Sequence, residues 1–259
     1  MIYDLSLINL ALLALAMFSA GFVDAIAGGG GLIQTPAMLL SFPDRNPVSV
    51  VATSKTAAFF GTTTAAIKYR KSIKTDTRLL LAMVVPAFIG ACFGALLASH
   101  ISPASFKSAI FFMMIAIFLY TLFKPELGKV HVEKYSAKKL MVIGSIAAAI
   151  IGFYDGLIGP GTGTMLMIAL VALMGFAFVG ASAIAKVVNA TTNLASIIVV
   201  GLRIGIMWKL GLILGIANLL GGYTGSHLAI KKGSGFVRIF YLLVTGLLIL
   251  RLGYSLYFQ

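Results

Sequence analysis

The sequence predicts an all-α integral membrane protein built from two homologous halves, and three observations carry that reading. Hydrophobic residues make up 60% of the chain and charged residues only 10%, where soluble domains carry roughly 45–50% and about 25%. The mean hydropathy is +1.04, and the apolar residues gather in runs of the length, about twenty residues, that crosses a bilayer as a helix. The chain also matches itself at a constant offset of 131 residues, which carries Asp24 onto Asp155 and Lys55 onto Lys186.

Taken in order, candidate spans run near 5–27, 47–67, 79–101, 106–123, 138–158, 179–201, 207–230 and 238–258. The start, Met1-Ile2-Tyr3-Asp4, lacks the basic region of a secretory signal, so the first run is read as a retained helix. Two further apolar pieces, near 32–42 and 164–174, are too short to cross comfortably. Each follows a glycine cluster: Gly28-Gly29-Gly30-Gly31 in one case, Gly159-Pro160-Gly161-Thr162-Gly163 in the other. A polar linker lies mid-chain. The expected organisation is a first transmembrane repeat over 1–123, a cytoplasmic linker over 124–137 and a second repeat over 138–259.

The repeat extends beyond the charged pairs. Gly21 and Phe22 fall on Gly152 and Phe153, Gly28 and Gly30 on Gly159 and Gly161, and Gly90 and Gly94 on Gly221 and Gly225. A shared register through two aspartates, two intramembrane lysines and these glycines points to duplication. Charge bias does not settle the relative orientation of the halves. With the short pieces crossing, the minority side holds Arg45, Lys107, Arg203, Lys209 and Arg251; with the pieces dipping in and returning, the imbalance is equally large. Inversion is preferred, because paired, glycine-interrupted short segments mark inverted-repeat transporters.

A net charge of +13 would suggest nucleic acid in a soluble protein. Here the basic residues cluster between apolar runs, as Lys68, Arg70, Lys71, Lys74 and Arg78 do, which is the pattern of cytoplasmic loops. No basic domain is left to read a groove, so nucleic acid is not an expected partner. Cys92 is the only cysteine, and His100, His131 and His227 have no metal spacing. No metal, cofactor or catalytic group is expected, nor is Gly28–Gly31 a dinucleotide fingerprint without a βαβ unit around it.

Candidate binding residues follow from what a bilayer penalises. Broken backbone deep in hydrocarbon survives where its amides line a cavity or bind something, and a helix N-terminus favours an anion. Gly28, Gly29, Gly30 and Gly31, with Gly161, Thr162, Gly163 and Thr164, are therefore candidates for substrate binding. Lys55 lies about 19 Å along a helix from Lys68, too deep to snorkel. A lysine at a helix centre costs about 2.5–3.5 kcal/mol on insertion scales. Lys55 and Lys186 are read as positive charge beside an anion path, the competing reading being ion pairs of Lys55 with Asp24 and Lys186 with Asp155 that lock the fold. Asp24 and Asp155 are candidates for proton coupling or ion pairing. Lys186, Asn189, Asn193 and Ser196 share one helix face, so Asn189 and Asn193, with Thr53 beside Lys55, are candidate oxygen-recognising groups. Gly90, Gly94, Gly221 and Gly225 are read instead as close-packing positions between helices.

The stretch Gly21-Phe22-Val23-Asp24-Ala25-Ile26-Ala27-Gly28-Gly29-Gly30-Gly31-Leu32-Ile33, then Pro36 and Ala52-Thr53-Ser54-Lys55, resembles the sulfite exporter TauE/SafE family. Gly152-Phe153-Tyr154-Asp155-Gly156 and Ala185-Lys186-Val187-Val188-Asn189-Ala190-Thr191-Thr192-Asn193 resemble its YfcA-like branch. The resemblance implies a multi-pass bacterial inner-membrane permease that exports sulfite, an organosulfonate or a related sulfur anion. Ser54, where many relatives have asparagine, and the polar Thr162-Gly163-Thr164 depart from the pattern and bear on substrate. The expected partners are a small anion and the lipid bilayer, with a homodimer left open. An anion leaving a negative interior can move as a uniporter; rival readings are a proton-coupled carrier of another organic anion, an anion channel with facing half-helices, and a membrane-embedded enzyme.

Overall fold

The computed structural model describes residues 5–98 and 135–232, with isolated positions between 100 and 119 and between 247 and 254. The spans expected near 106–123 and 238–258, and most of the linker, lie outside the described residues. Every described element is helical. They are α1 (Leu7–Ala27), α2 (Gly31–Ser41), α3 (Pro47–Ser72), α4 (Thr77–Ala98), α5 (Ala137–Leu157), α6 (Thr162–Ile168) running into a π turn (Ala169–Leu173), α7 (Phe178–Arg203) and α8 (Trp208–Lys232).

Local chemistry sets the boundaries. Ser6 caps α1 by accepting the Asn9 N–H at 3.2 Å. Asn46 caps α3 by accepting the Val48 N–H at 2.9 Å, with Pro47 in the first turn where its missing N–H costs nothing. Arg70 and Lys71 sit in the last turn of α3, complementing its dipole. Helix α1 stops because Gly28 turns left-handed at φ 79° and returns its N–H to Asp24 O at 2.9 Å.

Four of the described helices are long and apolar enough to cross a membrane: Leu7–Ala27, Thr77–Ala98, Ala137–Leu157 and the Val179–Arg203 stretch of α7. Helices α3 and α8, of 26 and 25 residues, are as long but more polar, and they contact each other along their lengths. The protein is thus an all-α, multi-spanning bundle, with no strand among the described residues.

Helices α4 and α5, and α1 and α8, pack backbone against backbone, as do α3 and α8 where a Cβ at Gly222 would overlap the Gly61 carbonyl. In α4 and α5, a Cβ added at Gly90 or Gly94 would overlap the carbonyls of Ala149 or Phe153, and one at Gly152 or Gly156 those of Ala87 or Ala91. In α1 and α8, a Cβ at Gly221 or Gly225 would overlap the carbonyls of Phe18 or Phe22. Without a hydrophobic drive between helices in lipid, close approach of this kind is what holds them. The glycines read as packing positions serve that purpose. Between the first two pairs, α3 and α7 form the centre, and both buried lysines lie on them.

Candidate functional site

The two backbone breaks meet at the centre of the bundle. A Cβ added at Gly28 would overlap the carbonyl of Gly163, and one at Gly163 the carbonyl of Gly28. Gly161 turns left-handed at φ 86° to start α6, as Gly28 does to end α1. Thr164 Oγ1 donates to Ala27 O at 3.3 Å across the same junction.

The buried charges pair across this junction. Lys186 Nζ lies 3.0 Å from Asp24 Oδ2 and donates to it. Lys55 Nζ lies 3.2 Å from Asp155 Oδ2, donates to Ser196 Oγ at 3.0 Å and also donates to the Asp155 carbonyl. This corrects the pairing weighed from sequence, which joined each lysine to the aspartate of its own half. The reason is geometric: α1 ends at the break that faces α7, and α5 ends at the break that faces α3. Asp155 Oδ2 is buried and has only the Lys55 ammonium, 3.2 Å away and outside good hydrogen-bond alignment, beside it among the described residues. Asp155 Oδ1 accepts the Thr162 hydroxyl at 2.7 Å, and Asp24 Oδ1 accepts the Gly30 N–H at 3.4 Å.

These groups surround a polar cavity of about 30 Å³, room for one or two water-sized groups. Of the residues singled out in the sequence, Asp24, Gly28, Gly30, Gly31, Lys55, Asp155, Gly161, Thr162, Gly163, Asn189 and Asn193 line it. Lys186 stands behind Asp24, fully buried. Gly29 and Thr164 belong to the junction without lining the cavity. Thr53 is elsewhere: its hydroxyl donates to Ser49 O at 2.8 Å and accepts the Met207 N–H at 3.1 Å, tying α3 to the start of α8.

Gln34, Thr35 and Asn218 line the cavity too and were missed. Asn218 Nδ2 donates to Gln34 Oε1 at 3.2 Å and to Met17 O at 3.0 Å, so the two amides form one corner. The signal was available. An amide inside an apolar run is costly unless it faces protein or a cavity, and both lie in runs assigned to the membrane. Thr62 completes this side.

The tetrad of two lysines and two aspartates has no formal net charge. It offers ammonium, hydroxyl and amide donors around a small polar volume. Among the described residues no group of His, Cys, Asp and Glu has the arrangement of a metal site.

Comparison with known proteins agrees with this architecture. The family model described as "Sulfite exporter TauE/SafE" matches residues 13–252. A "Probable membrane transporter protein" of Haemophilus influenzae is 36% identical over 235 residues, covering 91% of each chain. A Sinorhizobium "Probable membrane transporter protein ORF9" is 36% identical over 250 residues, 96% of this chain and 94% of its own. The Escherichia coli K12 "Probable membrane transporter protein YfcA" is 32% identical over 259 residues, 98% and 93% of the two chains.

Proposed function

This chain belongs to the sulfite exporter TauE/SafE family, and on that premise we propose that it is a secondary carrier that exports a small sulfur oxyanion or organosulfonate through the cavity between its two backbone breaks. It is a multi-pass inner-membrane transporter; the anion and the direction are our reading. The observation that carries it is the crossed pair of ion bridges, Lys55 with Asp155 and Lys186 with Asp24, around that cavity.

In this reading Lys55 meets the anion directly, and Lys186 acts through Asp24. The Thr162 hydroxyl and the amides of Asn189, Asn193, Gln34 and Asn218 recognise its oxygens, while Gly28, Gly30, Gly31, Gly161 and Gly163 let the backbone approach. A tetrad without net charge does not attract an anion by itself, so a carboxylate must yield its lysine as the anion arrives. Removing Asp24 or Asp155 from its lysine is costly unless that carboxylate takes a proton. Proton-coupled movement follows from this more readily than uniport.

We also read residues 1–123 and 138–259 as inverted repeats joined by a cytoplasmic linker over 124–137. Each would supply one broken segment and one lysine helix, with its aspartate reaching the other's lysine. In a Cys92→Ser background, single cysteines near Lys71 and Lys231 would then label from the same, cytoplasmic, face. Labelling from opposite faces would establish parallel halves.

The direct test is binding of sulfite, sulfate, short alkylsulfonates and carboxylates to purified protein, with and without Lys55→Gln. We expect saturable binding of a sulfur anion that the substitution weakens at least tenfold while the fold is retained. Saturable binding unchanged by Lys55→Gln would move the site away from this cavity.

A further inference from the structure

The helices that carry the cavity have a second face. Thr62, Asn189 and Asn193 turn toward the cavity. On a neighbouring face α3 and α7 enclose a groove of about 290 Å³, and every described residue lining it belongs to these two helices. We propose that this groove is a binding site for an anionic phospholipid, with an acyl chain between the helices and the phosphate at Arg70.

The shape fits a chain. Ala66 and Ala190, 6% and 9% exposed, leave a depression where larger residues would fill it, and Phe59, Ile67 and Leu194 border it. Arg70 is the only charged residue among the described residues that line it. Phe59 and Arg70 are separated by eleven helical steps, about 16 Å along the axis. Half the hydrocarbon thickness of a bilayer is about 15 Å. The groove therefore runs from near the midplane to the headgroup level of one leaflet.

The charge fits an anionic head. Arg70 is exposed and shares the last turn of α3 with Lys71, and Lys74 follows in the connection to α4. That basic cluster marks the cytoplasmic face, and the cytoplasmic leaflet is the one rich in anionic lipid. An arginine can grip a phosphate through paired N–H groups, while its stem lies along the apolar wall. A second copy of the chain suits the groove less well, since a helix with side chains is about 10–12 Å wide and the floor is set by two alanines.

The location gives the lipid a mechanical consequence. It would brace the two helices that carry Lys55 and Lys186 along a second face, so its occupancy would influence how freely they separate.

Native mass spectrometry of the full-length protein in detergent tests this. The protein is titrated with equimolar dioleoylphosphatidylglycerol and dioleoylphosphatidylcholine. We expect the first lipid bound to be phosphatidylglycerol by about fivefold, the worth of one basic residue at an anionic surface. Arg70→Gln should bring the ratio near one without changing thermal stability. Ala190→Leu, which fills the groove, should lower occupancy by both lipids at least threefold; Ala66→Leu serves the same end if that variant does not fold. Equal binding of the two lipids, a preference that survives Arg70→Gln, or occupancy unaffected by filling would each overturn the assignment. So would a groove that retains a second protein copy in place of lipid.

Discussion

Lys55 and Lys186 fall on each other in the 131-residue register, yet the protein surrounds them differently. Lys55 lines the cavity, and its ammonium reaches Asp155 through both carboxylate and carbonyl, with Ser196 as a third partner. Lys186 is fully buried behind the cavity wall, and among the described residues its ammonium bonds Asp24. The aspartates differ as well. Asp155 is held by the Thr162 hydroxyl at 2.7 Å, Asp24 by a long 3.4 Å bond from the Gly30 amide. In the repeat register Ser196 corresponds to Ala65, Thr162 to Gly31, Gln34 to Met165 and Asn218 to Ala87. The halves share their charges and differ in the neutral polar groups around them. Two charge pairs in one sequence register thus stand in different settings, Lys55 with Asp155 at the cavity and Lys186 behind its wall.

The largest expected effect separates those settings. Removing Lys186 leaves Asp24 buried with one long hydrogen bond, and breaking a buried pair from one side costs about 3–5 kcal/mol. Lys186→Gln should lower thermal stability by that order. Lys55→Gln should cost less, because the Thr162 hydroxyl still satisfies one oxygen of Asp155 at 2.7 Å, whereas Asp24 keeps only the long Gly30 bond. For anion affinity the order should reverse, with Lys55→Gln the more damaging. The crossed pairing is open to a double-mutant cycle. Asp24→Asn should restore much of the stability lost in Lys186→Gln, whereas Asp155→Asn should not. Rescue by Asp155→Asn in its place would break the comparison at its root.

A smaller effect compares two glycines of one break. Gly28 needs a left-handed φ of 79°, and an added Cβ would overlap the Gly163 carbonyl. Left-handed backbone in a residue other than glycine costs of order 1–3 kcal/mol, and the overlap adds to it. At Gly31 φ is ordinary and the nearest atom to an added Cβ is Pro160 Cα, 3.1 Å away. Gly28→Ala should therefore destabilise clearly more than Gly31→Ala, measured by thermal unfolding in one detergent. Equal losses would mean that the junction can open without cost, and would weaken the case for two breaks locked face to face.

What the sequence disclosed follows from what a membrane penalises. Runs near 5–27, 79–101 and 138–158 recur as α1, α4 and α5 within a few residues, because a helix must satisfy its own backbone in hydrocarbon. The short pieces recur as α2 and α6, although α6 loosens into a π turn at Ala169–Leu173 that no composition signalled. Asp24, Lys55, Asp155 and Lys186 were legible because each is an expensive group in an apolar setting. Their partners were not. Sequence distance favours pairing within a half, and only the facing of the two breaks reverses it. Thr53 was chosen for standing near Lys55, but in a helix residues two apart point to different faces, and its hydroxyl ties α3 to α8. Gln34 and Asn218 carried the same signal as Asn193 but lay alone, without a stripe to draw attention to them.

The smallest effect we expect is no effect at all, and it tests whether the tetrad works as a unit. An anion moving alone out of an inside-negative compartment gains about 2.3 kcal/mol per 100 mV, nearly a fifty-fold concentration ratio at about 1.4 kcal/mol per decade. A uniporter would respond to voltage on that scale. The site argues against it: two lysines already face two aspartates, and a bound monovalent anion adds a charge with no partner. If one proton neutralises Asp24 or Asp155 as the anion binds, the loaded site returns to the formal charge of the empty one. One anion and one proton then cross together and move no net charge. Proteoliposomes loaded with the identified monovalent anion, with potassium and valinomycin setting the potential at fixed pH, should show efflux unchanged between 0 and about 100 mV. A pH step in the direction of proton efflux, at zero potential, should drive the anion out. The comparison of the two pairs sharpens this into a choice of carboxylate. Asp155 borders the cavity beside the lysine proposed to meet the anion, so Asp155→Asn should abolish the response to pH, whereas Asp24→Asn should leave it largely in place. Strong voltage dependence without a response to pH would return the protein to uniport and make both aspartates structural.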